Sequence, residues 1–154
     1  AVDAEHIITM ECIWTGFAMP QTWLKGWENV VYQVHFYNNS DFIFAFFLLL
    51  TKLLHPNVPM IMGEFYPHQR TTWEGCFRSM KAFNYSWCLW TYKAANHGMW
   101  ESDWCLFGAQ DGFERAKLAT DSFEEIERKF GEGLRTDINY VNTGHYETVA
   151  PWLG

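Results

Sequence analysis

The chain has no Cys-x-x-Cys pair, no run of basic residues, and no apolar stretch long enough to span a bilayer. Each absence excludes a class of function. Its four cysteines, Cys12, Cys76, Cys88 and Cys105, lie too far apart for a short metal or redox motif, and they read mainly as small buried residues. The histidines at 6, 35, 55, 68, 97 and 145 show no metal-ligand spacing, so no metal and no cofactor are expected. The formal charge is -7, with acidic residues spread along the chain. A nucleic-acid partner asks for clustered Lys and Arg, so none is expected. The apolar run from Phe42 to Leu50 is bounded by Asp41 and Lys52. It falls well short of the roughly 20 residues of a membrane helix and reads as a buried one. No signal-peptide pattern opens the sequence, and there is no internal repeat or low-complexity segment. Asn38-Asn39-Ser40 and Asn84-Tyr85-Ser86 match the glycosylation pattern, which has meaning only in a eukaryotic secretory pathway.

What is present is an apolar and unusually aromatic chain. Of its 154 residues 49% are apolar, and nine Trp, seven Tyr and thirteen Phe exceed what one core needs. The length prior gives one domain. Part of the aromatic excess is expected to line a binding surface. Four short apolar runs, near 6–11, 30–37, 59–65 and 85–92, read as strands buried on both faces. Between them the period changes. The polar loop Asn38-Asn39-Ser40-Asp41 caps an apolar helix over 42–54, which Pro56 and Pro59 end. Thr71 and Glu74 fit a capping box ahead of Trp73, Phe77, Met80 and Phe83 at helical spacing, and Asn84 ends that helix. Residues 15–29 read as a long connection with a helical turn. Strand and helix in alternation with short linkers is the pattern of an α/β fold with a parallel sheet. Beyond a long aromatic loop from Lys93 to Trp104, a helical segment is expected over 112–131. It holds two short helices, the first capped by Asp111 and the second opened by a Ser122 and Glu125 capping box. Ala116, Ala119, Phe123, Ile126 and Phe130 form its apolar stripe.

The segment Pro59-Met60-Ile61-Met62-Gly63-Glu64-Phe65 ends an apolar run on a carboxylate. At the C-terminal end of a barrel strand, catalytic groups sit in such places. Composition alone favours a solvated carboxylate for Glu64 and a satisfied core histidine for His35. His35 and Tyr37 are two apart on one strand and so share a face.

Four motifs in order give these residues a further meaning. Asp3-Ala4-Glu5-His6-Ile7-Ile8, Val34-His35-Phe36-Tyr37, Gly63-Glu64-Phe65 and Trp90-Thr91-Tyr92-Lys93 resemble the fifth to eighth strands of family 5 glycoside hydrolases, the cellulase-like (β/α)8 barrels. The resemblance runs from about Asp3 to Trp104. It implies half of a TIM barrel, a (β/α)4 unit with parallel strands, because a whole barrel typically takes eight units in roughly 250 residues. It implies retaining hydrolysis of a β-glucan-type polysaccharide, an extracellular setting, Glu64 as nucleophile, and Tyr37 donating to Glu64 with His35 at the same site. Trp90 becomes a sugar platform, with Trp87 the alternative. Lys93, Asn96, His97 and Trp100 become sugar contacts. Glu11 follows the first strand and either faces the site or is a solvated loop carboxylate. The Asn-Glu pair that carries the family's acid/base is absent from this sequence. Glu101 and Asp103 are the nearest substitutes in the long loop.

A half-barrel has two open strand edges, and edges invite pairing. The expected partners are therefore a poly- or oligosaccharide and a second half-barrel, most simply a second copy in a homodimer. The alternatives are a carbohydrate-binding fragment without catalysis and a self-associating half-barrel whose groove is buried in the oligomer.

Overall fold

Four strands, β1 (Ile8–Ile13), β2 (Val30–His35), β3 (Met60–Glu64) and β4 (Tyr85–Trp87), form one sheet in the order β1-β2-β3-β4. All three pairings are parallel. This computed structural model describes residues 5–13, 16–67, 70–94, 105–109 and 112–153. The strand order follows the chain without reversal, so the sheet lacks the switch point of a doubly wound fold. A 3-10 turn (Gly16–Ala18) and a one-turn helix, α1 (Thr22–Lys25), join β1 to β2. The helix α2 (Asp41–Leu54) joins β2 to β3, and α3 (Arg70–Ala82) joins β3 to β4. The fold is thus α/β with a parallel four-stranded sheet.

The helices follow the local rules. Ser40 caps α2, its hydroxyl accepting from the Ile43 N–H. Asn84 takes the left-handed conformation just after α3, at φ 57°, which asparagine tolerates better than most residues. The capping box expected from Thr71 and Glu74 rests on a side chain outside the described set.

Strand alternation divides the sheet into two faces. Tyr32, Val34, Met60, Met62 and Tyr85 are buried and face α2 and α3. The Tyr85 hydroxyl donates to the Leu48 carbonyl of α2 at 3.2 Å, and Tyr32 sits edge-on against His55. Phe65 follows β3 and fills the space between Phe44, Trp73, Phe77 and Trp87. The Phe36 ring stacks on Phe47, with centroids 4.1 Å apart. Helix α2 is apolar all round. It buries Phe44, Phe47, Leu48 and Thr51, while Phe42, Phe46, Leu49 and Leu53 lie exposed along its outer side.

Compact clustering divides the chain into Ala1–Trp90 and Thr91–Gly154, where the sequence reading placed one half-barrel domain over 1–154. The fourth strand, expected over 85–92, stops at Trp87. Its final ladder bond runs from the Cys88 N–H to the Met62 carbonyl. Beyond Met62 the neighbouring strand bulges, which moves the next carbonyl out of step. Cys76 and Cys105 are buried, but Cys88 is exposed.

The second unit holds a small sheet of β5 (Lys93–Ala94), β6 (Phe107–Gly108) and β7 (Tyr140–Val141). It also holds α4 (Phe123–Glu127), a π-helical turn (Arg128–Glu132) and α5 (Thr143–Val149). Ser122 and Glu125 make the expected reciprocal capping box. The helix expected before it is not formed in the described part. Residues Lys117 to Asp121 make a turn in which the Asp121 carboxylate takes the Lys117 N–H. A short acidic side chain that competes for backbone donors in this way disfavours helix. Asp121 also pairs with Lys129 at 2.9 Å, and the lysine bridges turn and helix. Of the expected apolar stripe, Ala116 is buried, whereas Ala119 and Phe123 are exposed.

Candidate functional site

The second face of the four-stranded sheet is polar toward the C-terminal ends of its strands. The register aligns Glu11, Gln33, Ile61 and Ser86 across the four strands. Glu11 and Ser86 are exposed, while Gln33 and Ile61 are half-buried. One step further along, His35 pairs with Glu64.

Strict alternation would turn Glu64 toward the helices with Met60 and Met62. A bulge prevents this. Val34 pairs with Met62 but His35 pairs with Glu64, so β3 spends one extra residue, Gly63, against a single step of β2. Bulges re-aim side chains and recur beside active sites. Here the bulge turns Glu64 to the polar face, and the next residue, Phe65, returns to the core. Gly63 is required by its neighbour. A Cβ at that position would fall 2.5 Å from Gln33 Nε2 and 2.6 Å from its Cδ. The Gln33 side chain therefore lies directly across the bulge.

The side chains on this face form a continuous row. Tyr37 Oη donates to Glu64 Oε2 at 2.6 Å. His35 Nδ1 lies 3.5 Å from the same oxygen. On the other side of the ring, His35 Nε2 is 3.0 Å from Gln33 Nε2 and 3.8 Å from Glu11 Oε1. Gln33 Nε2 in turn donates to Glu11 Oε2 at 3.1 Å. The imidazole is buried, and the Glu64 side chain retains 28% of its exposure. Burial, reinforced by the hydrogen bond to the Glu64 carboxylate and by its charge, pushes the Tyr37 phenol well above its ordinary value. Tyr37 thus stays a donor through the neutral range. Glu64 Oε1 has no hydrogen-bond partner among the described residues. The arrangement presents a partly exposed carboxylate held through one oxygen, a geometry suited to a nucleophile.

Of the residues singled out from sequence, the structure brings Glu64, His35 and Tyr37 together, with Glu11 beside them. Trp87 packs against Phe65 and Phe77 in the core, and Trp90 is 43% exposed. Lys93 belongs to the second unit, where its ammonium donates to the Leu134 carbonyl. Asn96, His97 and Trp100 lie outside the described residues, as do Glu101 and Asp103. Gln33 was missed, although it sits two residues before His35 and alternation places both on one face. Among the described residues no group of three or more His, Cys, Asp or Glu side chains could hold a metal ion, and no helix is long and apolar enough to cross a membrane. Comparison with family models, curated proteins and solved structures finds no match for the chain.

Proposed function

We propose that this chain is a (β/α)4 half-barrel carrying the nucleophile half of a retaining glycoside hydrolase site for β-glucan-type polysaccharide. The observation that carries the reading is the Tyr37–Glu64 hydrogen bond of 2.6 Å at the C-terminal end of a parallel strand. In this reading Glu64 Oε1 attacks the anomeric carbon, and its electron pair forms the glycosyl ester as the bond to the leaving oxygen breaks. A second carboxyl group protonates that oxygen and then takes a proton from the water that hydrolyses the ester. Tyr37 and His35 stand at Glu64 Oε2 throughout, which keeps the carboxylate aimed. Trp90 offers a stacking platform.

Glu11 is already engaged by Gln33, so the acid/base is assigned to a complementary half-barrel. That half would be a second copy or another chain pairing with the outer edges of β1 and β4. Glu64→Gln is expected to abolish hydrolysis of soluble β-glucan by the assembled protein while leaving the fold unchanged. Full activity in that variant would remove Glu64 from the mechanism. The second reading, a carbohydrate-binding fragment without catalysis, is favoured by the engagement of Glu11 with Gln33, which leaves no second carboxyl group assigned as acid/base among the described residues, and by the exposure of Trp90. It predicts oligosaccharide binding without turnover, lost in Trp90→Ala and retained in Glu64→Gln.

A further inference from the structure

We infer that Gln33 is a positioning residue that fixes the tautomer of His35 and, through it, the orientation of Glu64. The argument begins at the exposed end of the row. A glutamine amide has one donor end and one acceptor end, and its orientation is assigned from its neighbours. Glu11 is a carboxylate and can only accept, so the Gln33 group 3.1 Å from it must be the NH2. The reverse orientation would set an amide oxygen against that carboxylate. The same NH2 group lies 3.0 Å from His35 Nε2. Its second hydrogen is therefore directed at that nitrogen, which must accept. A neutral imidazole that accepts at Nε2 carries its proton at Nδ1, and Nδ1 faces Glu64 Oε2.

The polar contacts then run in one sense. Gln33 donates to both Glu11 and His35, while His35 and Tyr37 both point donors at Glu64 Oε2. With the other tautomer, a bare Nδ1 lone pair would face the carboxylate and repel it. Glu11 thus acts at two removes. It orients Gln33, which sets His35, which steadies Glu64. Gly63 belongs to the same device, since any side chain there would displace Gln33 from its place over the bulge. This inference extends the site reading above, but it can be tested without any substrate.

The test is the nitrogen spectrum of the His35 imidazole in the full chain, by long-range proton–nitrogen NMR at a pH where the ring is neutral. His35→Gln assigns the signal. In the unaltered protein Nδ1 is expected to carry the proton and Nε2 to be bare. Gln33→Glu replaces the donor by an acceptor and is expected to reverse the pattern. Gly63→Ala is expected to shift the population toward the Nε2-protonated form. An Nε2-protonated ring in the unaltered protein overturns the inference, even if neither variant folds. An unchanged pattern in a folded Gln33→Glu variant overturns it as well. Loss of the Glu64 mechanism with the Nδ1 tautomer intact would refute the proposed function and leave the role of Gln33 standing.

Discussion

Phe65 and Phe42 look alike in sequence, each an aromatic residue following an acidic one, yet the structure assigns them opposite energetic roles. Phe65 has no exposed surface, and four other rings surround it, two of them from α3. Phe42 retains 76% of its surface on the outer side of α2. Removing a buried phenylalanine ring costs about 3–5 kcal/mol, because the lost transfer energy is joined by a cavity the surroundings fill only in part. A domain of this size holds only about 5–15 kcal/mol in total. Phe65→Ala should therefore remove a large fraction of the stability, whereas Phe42→Ala should stay within about 0.5 kcal/mol.

Urea unfolding followed by tryptophan fluorescence reads the difference. With a slope of about 2 kcal/mol per molar urea, the Phe65→Ala midpoint should fall by about 2 M and the Phe42→Ala midpoint by no more than about 0.3 M. Phe65→Leu keeps much of the volume and should fall between them, losing aromatic contacts that are worth about 0.5–1.5 kcal/mol per pair. Equal midpoints for Phe65→Ala and Phe42→Ala would refute the assignment of faces, and with it the claim that the Gly63 bulge separates Glu64 from the core.

Two further predictions concern titration. His55 is 2% exposed, and burial holds its imidazole below the ordinary value. The unfolded chain therefore takes up a proton near pH 6.5 that the folded chain refuses, so stability is full above that pH and declines as pH falls below it, by at most about 1.4 kcal/mol per unit. Urea midpoints between pH 8 and pH 5 should show this slope, and His55→Leu should flatten it; an equal slope in the variant would exclude His55 as the source. For Tyr37, the difference between the ultraviolet phenolate titrations of the unaltered protein and Tyr37→Phe should appear well above the ordinary pKa of about 10. A difference centred at about 10 would mean that the phenol is not bonded to Glu64.

The sheet was legible in sequence because its strands are continuous apolar runs separated by a helical period, and three of the four both begin and end within two residues of the expected positions. The fourth was not, because Tyr85 to Tyr92 reads as one run while its pairing partner bulges after Met62. The same bulge explains why the site was only partly legible. Strand alternation alone turns Glu64 into the core, and it took the resemblance to a barrel family to set Glu64 beside His35 and Tyr37. Gln33 escaped notice because an isolated glutamine in a strand carries no chemical signature. What defines it is the space over Gly63, and space is not written in a strand pattern. The helix expected from residue 112 failed for a local reason, the Asp121 carboxylate taking a backbone donor, which periodicity does not register.

The two faces of the sheet bear on how the molecule is completed. Parallel sheets are ordinarily covered on both sides. Here one side meets α2 and α3 through large buried side chains, while the other carries Thr9 and Val31 toward the start of the strands, Glu11, Gln33, Ile61 and Ser86 in the next row, and His35 and Glu64 toward their ends. Titratable groups gathered at the C-terminal ends of parallel strands are what the proposed half-barrel would present at its upper end. A face so built, flanked by the single-neighbour edges of β1 and β4, is expected to pair with a second half. Light scattering on a sizing column should therefore return twice the 18.2 kDa chain mass. Placing a proline at Thr9, on the outer edge of β1, should return the single mass while leaving the tryptophan emission of the folded chain in place. A monomer in the unaltered protein would refute pairing through these edges and leave the carbohydrate-binding reading in front, since a lone nucleophile half has no acid to complete the reaction.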